Sequence, residues 1–124
     1  MTVQTPLARA EGLGAAHSGT HHFWRQRVSA IALIPLTIWF CITAIALIGA
    51  DRNHAVVVLA RPVNAIAMAL FVISAVHHMA LGVQVVIEDY VHQEGAKIAL
   101  LVTNRFFAWL VGAACLFALA KIAL

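Results

Sequence analysis

Apolar residues gather into three long runs, at about residues 27–50, 62–88 and 97–123, with polar breaks at 51–54 and 88–97. Each run is long enough to cross roughly 30 Å of hydrocarbon as a helix rising about 1.5 Å per residue. Within the third run the strictly apolar part, 106–120, is too short to span alone. Its helix must start near Lys97 and carry Arg105 in its first turns. Pro62 suits the start of the second helix, where its missing N–H would be unpaired anyway. Pro35 falls inside the first helix and predicts a kink there, which a bundle tolerates when neighbours re-satisfy the freed carbonyl. Residues 1–26 carry Gly, Thr, Ser and His without an apolar period and read as a polar N-terminal arm. The pattern predicts an all-α protein: three transmembrane helices in an anchor domain spanning 27–124, preceded by the short arm 1–26.

Composition agrees with that class. At 124 residues and 63% hydrophobic, a soluble domain could not bury its apolar surface. The first run follows a long polar stretch and is followed by two more, so it reads as a permanent span rather than a cleavable leader. Net charge is +3, but the basic residues are scattered and lack interleaved aromatics, which argues against nucleic acid as a partner. Three spans put Arg9, Arg25, Arg27, Lys97 and Arg105 on one side, and Arg52, Arg61 and Lys121 on the other. The bias predicts a cytoplasmic N-terminus and second break. Cys41 and Cys115 lie in apolar runs without paired spacing and read as small apolar fillers. Trp24 is placed for an interfacial belt. Arg105 either snorkels to the interface or meets a lipid headgroup, a partner or an anionic cofactor group.

The second run holds the candidate chemistry, in the stretch HMALGVQVVIEDY from His78 to Tyr90. An ionisable side chain deep in an apolar run marks a functional site by default. At about 100° per residue, His78, Gly82, Val85 and Asp89 share one stripe, with Ser74 a turn earlier. Gly82 lets a planar group or a helix approach the backbone. A histidine followed one turn later by glycine offers what an axial haem ligand needs: a nitrogen donor and room for the macrocycle. Simple interhelical hydrogen bonding by His77 and His78 is the competing reading, and the two rings point about 100° apart. Asp89 and Tyr90 lie about 18 Å further along the axis, at the end of the run. Alone, they read as a helix-end charge and a belt residue. Gln84 reads as interhelical glue, and the remaining histidines as solvated. No phosphate loop, nucleophile elbow, flavin fingerprint or clustered metal-ligand set is present, so hydride or acyl chemistry by this chain alone is excluded.

The motif His78-x3-Gly82-x3-Val86-x2-Asp89-Tyr90 resembles that of the membrane-anchor subunits of succinate dehydrogenase (succinate:quinone oxidoreductase, respiratory complex II). The longer string GVQVVIEDYVHQEGAKIAL, residues 82–100, is similar to the alphaproteobacterial and mitochondrial branch. RVSAIALIPLTIWF, residues 27–40, resembles that family's opening of its first span. The resemblance runs from Arg27 to the end of the chain and matches the three-span plan.

The resemblance implies a subunit of a respiratory-chain enzyme that also serves the tricarboxylic acid cycle. His78 corresponds to an axial ligand of a b-type haem shared with a second membrane-anchor subunit, which supplies the other histidine. Gly82 corresponds to the haem clearance, and Arg27 to a basic residue near the propionates. Tyr90 matches the residue that hydrogen-bonds a ubiquinone carbonyl, and Asp89 its acidic neighbour. Further partners implied are an iron–sulfur subunit, a flavoprotein subunit that oxidises succinate, and the lipid bilayer. The place implied is the bacterial inner membrane, ahead of the mitochondrial one. Two other readings stay open: the haem b anchor of another quinone-linked dehydrogenase, and a non-redox membrane scaffold or assembly protein whose histidines only pack.

Overall fold

The computed structural model describes residues 17–124, which form four helices: α1 (His17–Ala46), α2 (Arg52–Leu59), α3 (Pro62–Tyr90) and α4 (Glu94–Ala123). Three segments are long and apolar enough to cross a membrane, namely Phe23–Ala46, Pro62–Tyr90 and Glu94–Ala123. The protein is therefore an all-α, multi-pass membrane protein. The first part of the polar arm, residues 1–16, lies outside the described residues.

Helices α3 and α4 lie within a few residues of the second and third apolar runs. Helix α1 differs from its run at both ends. It starts at His17, ahead of the apolar run, so the polar stretch from Thr20 to Arg27 is helical rather than part of an arm. Pro35 sits inside this helix without ending it. The helix stops at Ala46, and the chain turns through Gly49, whose φ of 77° is the left-handed conformation that glycine adopts without a Cβ clash.

The first polar break is not a plain loop. Asp51 caps α2, its carboxylate accepting from the His54 backbone N–H at 3.1 Å. The cap satisfies one of the orphan donors at a helix start. Asn64 then donates from Nδ2 to the Val58 carbonyl at 2.8 Å and ties the end of α2 to the first turn of α3.

Helix α3 is the middle of the fold. α1 and α4 each pack against it, and the backbones of α1 and α4 do not come close to one another. On the first seam the Phe40 and Phe71 rings stack at 4.6 Å with planes 8° apart. On the second, Asn104 donates from Nδ2 to the Ala80 carbonyl at 2.8 Å, and Gly112 meets Val76 with no side chain between them. Apolar burial is slight: among the described residues only Leu81, Ile87, Ala108 and Leu119 are buried hydrophobics. The isoleucines 31, 34, 38, 42 and 45 of α1 and Trp109 of α4 are exposed. Such a surface is stable only against lipid or partner helices.

Asn104→Ala should weaken the α3–α4 seam by about 1 kcal/mol, the usual worth of one interhelical hydrogen bond in a bilayer. Unfolding of the reconstituted chain by increasing SDS, followed by circular dichroism, measures the loss.

Candidate functional site

His78 projects from α3 into the α1–α3 seam and is half-buried. Its Nδ1 lies 3.1 Å from Ser29 Oγ, on α1. Ser29 is only 7% exposed, and its hydroxyl lies 2.9 Å from the Gln26 carbonyl. A hydroxyl has one proton. That proton serves either the Gln26 carbonyl or His78 Nδ1, according to the His78 tautomer. His78 Nε2 makes no hydrogen bond among the described residues.

Gly82 lies one turn further along the same face. A Cβ built there would meet Gln26 Nε2 at 3.7 Å, the end of a flexible side chain rather than backbone. The other end of that amide, Gln26 Oε1, is buried with no hydrogen-bond partner. An unsatisfied buried acceptor costs about 1–3 kcal/mol. The amide therefore gives way easily to a group entering beside Gly82. The donor set, the glycine and this orphaned oxygen fit one axial position of a haem.

His77 faces elsewhere. It is exposed and lines a groove of about 800 Å³ on another face of α3, together with Arg25, Gln84, Asn104, Arg105 and Trp109. Among the described residues, the ring of His78 but not that of His77 has a hydrogen-bond contact with α1. Gln84 bonds within its own helix, Nε2 donating to Glu88 Oε1 at 2.8 Å. Arg105 is exposed on the groove.

Arg27 is two residues before Ser29, hence about 3 Å along the axis and on nearly the opposite side of α1. Its guanidinium lies 4.4 Å from the Phe23 ring centroid, a cation–π contact, and the side chain is exposed. The structure thus places Arg27 at the level of His78 but does not bring the two together.

Tyr90 is the last residue of α3 and 78% exposed, with Asp89 exposed beside it. The backbone that carries them is pinned. Lys97 Nζ donates to the Glu88 carbonyl at 2.9 Å, and His92 Nδ1 contacts the Tyr90 carbonyl at 3.2 Å. Val91 N–H closes the helix onto Ile87 at 3.0 Å. These bonds satisfy carbonyls that a helix end leaves open. They hold a phenol and a carboxylate at the end of the bundle where Lys97 lies, about 18 Å along α3 from His78. His78 and the Asp89–Tyr90 pair are therefore two sites on one helix.

Sequence reasoning took in Ser29 only as part of the RVSAI opening, without a role, and passed over Gln26. Neither stands out in an apolar run, and both matter only through a contact made across a seam.

Three membrane-crossing helices, with an inward imidazole and a polar pair at one end, define a multi-pass membrane subunit built to meet other chains. The succinate dehydrogenase/fumarate reductase transmembrane subunit family matches residues 1–118. The chain belongs to that family, among the membrane anchor subunits of succinate dehydrogenase. It is 41% identical over 120 residues to the succinate dehydrogenase hydrophobic membrane anchor subunit of Paracoccus denitrificans, covering 97% of this chain and 92% of the relative. The subunit of the same name from Rickettsia bellii is 34% identical over 102 residues, 82% of each chain. The succinate dehydrogenase membrane anchor subunit of Reclinomonas americana is 33% identical over 94 residues, 73% of this chain and 78% of the relative. No solved structure matches the chain.

Proposed function

We propose that this chain holds one side of a haem b, shared with a second membrane-anchor subunit, and helps form the ubiquinone site of a succinate:quinone oxidoreductase. The observation that supports the haem reading is the His78 ring, held at Nδ1 by Ser29 Oγ at 3.1 Å, with Nε2 making no hydrogen bond among the described residues. A neutral imidazole with its proton on Nδ1 is ready to ligate iron. The partner anchor supplies the second axial nitrogen, and Gly82 with a displaced Gln26 amide admits the macrocycle edge. Arg27 is the cation at the right level for the propionates once its side chain leaves Phe23. Bound there, haem would supply a one-electron store.

Quinone reduction consumes two electrons and two protons. Tyr90 donates its hydroxyl hydrogen to a quinone carbonyl and stabilises the negative charge that develops on that oxygen. Asp89, one residue away at the aqueous boundary, relays or orients protons. Electrons come from an iron–sulfur subunit docked on the same end, and succinate is oxidised on a flavoprotein subunit. The excess of arginine and lysine at this end puts it, with the N-terminus, on the cytoplasmic side of a bacterial inner membrane.

Affinity purification of the tagged chain in mild detergent, with a reduced-minus-oxidised spectrum, tests the reading. The expected result is co-purification of three partner subunits, a b-type band, and succinate-dependent reduction of a ubiquinone analogue. A complex with different soluble subunits would point to another quinone-linked dehydrogenase. A preparation with neither haem band nor quinone activity would point to a scaffold.

A further inference from the structure

The contact between Ser29 and His78 does more than fill a seam. In a helix, serine hydroxyls commonly bond back to a carbonyl one turn earlier. Ser29 does so, onto Gln26, at 2.9 Å. Oγ also lies 3.1 Å from His78 Nδ1 across the seam, and with the one hydroxyl proton assigned to the local bond an Oγ lone pair is left for Nδ1–H. The result is a directed relay: His78 Nδ1–H to Ser29 Oγ, then Ser29 Oγ–H to the Gln26 carbonyl. Each bond polarises the next. Ser29 is the one buried polar side chain among the described residues, so water does not compete for its oxygen.

We infer that Ser29 is the positioning residue for the haem ligand: its hydroxyl fixes His78 as the Nδ1–H tautomer and strengthens Nε2 as a donor to iron. The inference rests on the reading of His78 as an axial ligand. An imidazole whose N–H is held by an acceptor is a more basic ligand, and its ring plane is fixed. A more basic axial ligand favours the ferric state and lowers the reduction potential. A carboxylate acceptor would push further in the same direction, but would place a charge inside the bilayer. The neutral hydroxyl gives an intermediate donor strength without that cost. The relay also explains how the ligand is ready before iron arrives. The tautomer is imposed by α1, not by the metal.

The test uses the assembled complex, purified as Ser29→Ala, Ser29→Thr and His78→Ala variants. Ser29→Ala is expected to retain haem while its midpoint potential rises and the low-spin ferric EPR signal shifts. Ser29→Thr keeps a hydroxyl that bonds the same carbonyl in a helix, and should return both readouts towards wild type. Loss of haem in Ser29→Ala with retention in Ser29→Thr would equally support the role of the hydroxyl. An unchanged potential and EPR signal in Ser29→Ala overturns it, and leaves the ligand assignment standing. Loss of haem in both serine variants overturns it too, since the site then depends on side-chain volume. An unchanged spectrum in His78→Ala sinks the ligand reading itself, separately from the role of Ser29.

Discussion

His78→Ala is expected to strip the low-spin b-type spectrum from the assembled complex, whereas His77→Ala should leave it in place. The two residues are adjacent in sequence but occupy different surroundings. His78 is half-buried against α1, with one ring nitrogen bonded to Ser29 and the other free. His77 is exposed and opens onto the groove beside Arg25 and Arg105. Removing a ligand imidazole leaves iron with a single axial partner. The remaining species is high-spin or lost, a change that optical and EPR spectra report directly. The paired variant controls for assembly, because both substitutions delete the same side chain from the same turn of α3. If His77→Ala removed the signal instead, the ligand would have to be moved by one residue and the relay through Ser29 would lose its purpose.

The second large effect is expected at the other site. Tyr90→Phe should lower ubiquinone reduction by about 100-fold, the low end for removing one donor aimed at developing negative charge. Electron transfer from succinate to a soluble dye that bypasses the quinone should stay at wild-type rate. The split follows from position. Tyr90 is 78% exposed at the end of α3, so its hydroxyl contributes little to the packing of this chain. The bonds from Lys97 and His92 hold its backbone through main-chain carbonyls and remain intact in the variant. Equal loss in both assays would mean that the complex had failed to assemble, and would remove the case for a hydrogen bond to quinone.

Much of the architecture was legible because bilayer physics writes it in residue type. Apolar runs of spanning length fix the number of crossings, and Pro62 marks the start of α3. Helix α2 was harder to see. It is short and has no apolar period, and its only signal is Asp51 capping His54, an ordinary acidic residue in what reads as a polar break. The early start of α1 was hidden for a related reason: the hydrophobic run begins after the helix does.

At the site, His78, Gly82, Asp89 and Tyr90 could be singled out because they share one helix at regular spacing. Ser29, Gln26 and Asn104 could not, because each acts on a residue of another helix. A sequence read along one helix carries no record of which turn of its neighbour lies opposite. The same limit applies to Arg27. Its level in the membrane follows from helix rise, but its contact with Phe23 and its orientation away from α3 do not.

That the backbones of α1 and α4 approach α3 but not each other has a mechanical consequence. With α3 as the shared member, its rotation about its own axis is clamped by both neighbours: by Ser29 and the Phe40–Phe71 stack from α1, and by Asn104 on the Ala80 carbonyl from α4. A slip of one residue turns a helix by about 100°. In one direction it would put His77 in the place of His78 in the α1 seam, and it would take the Ala80 carbonyl away from Asn104. The choice of which imidazole faces Ser29 is thus defended in part by the Asn104 amide, which bonds the α3 backbone from another helix.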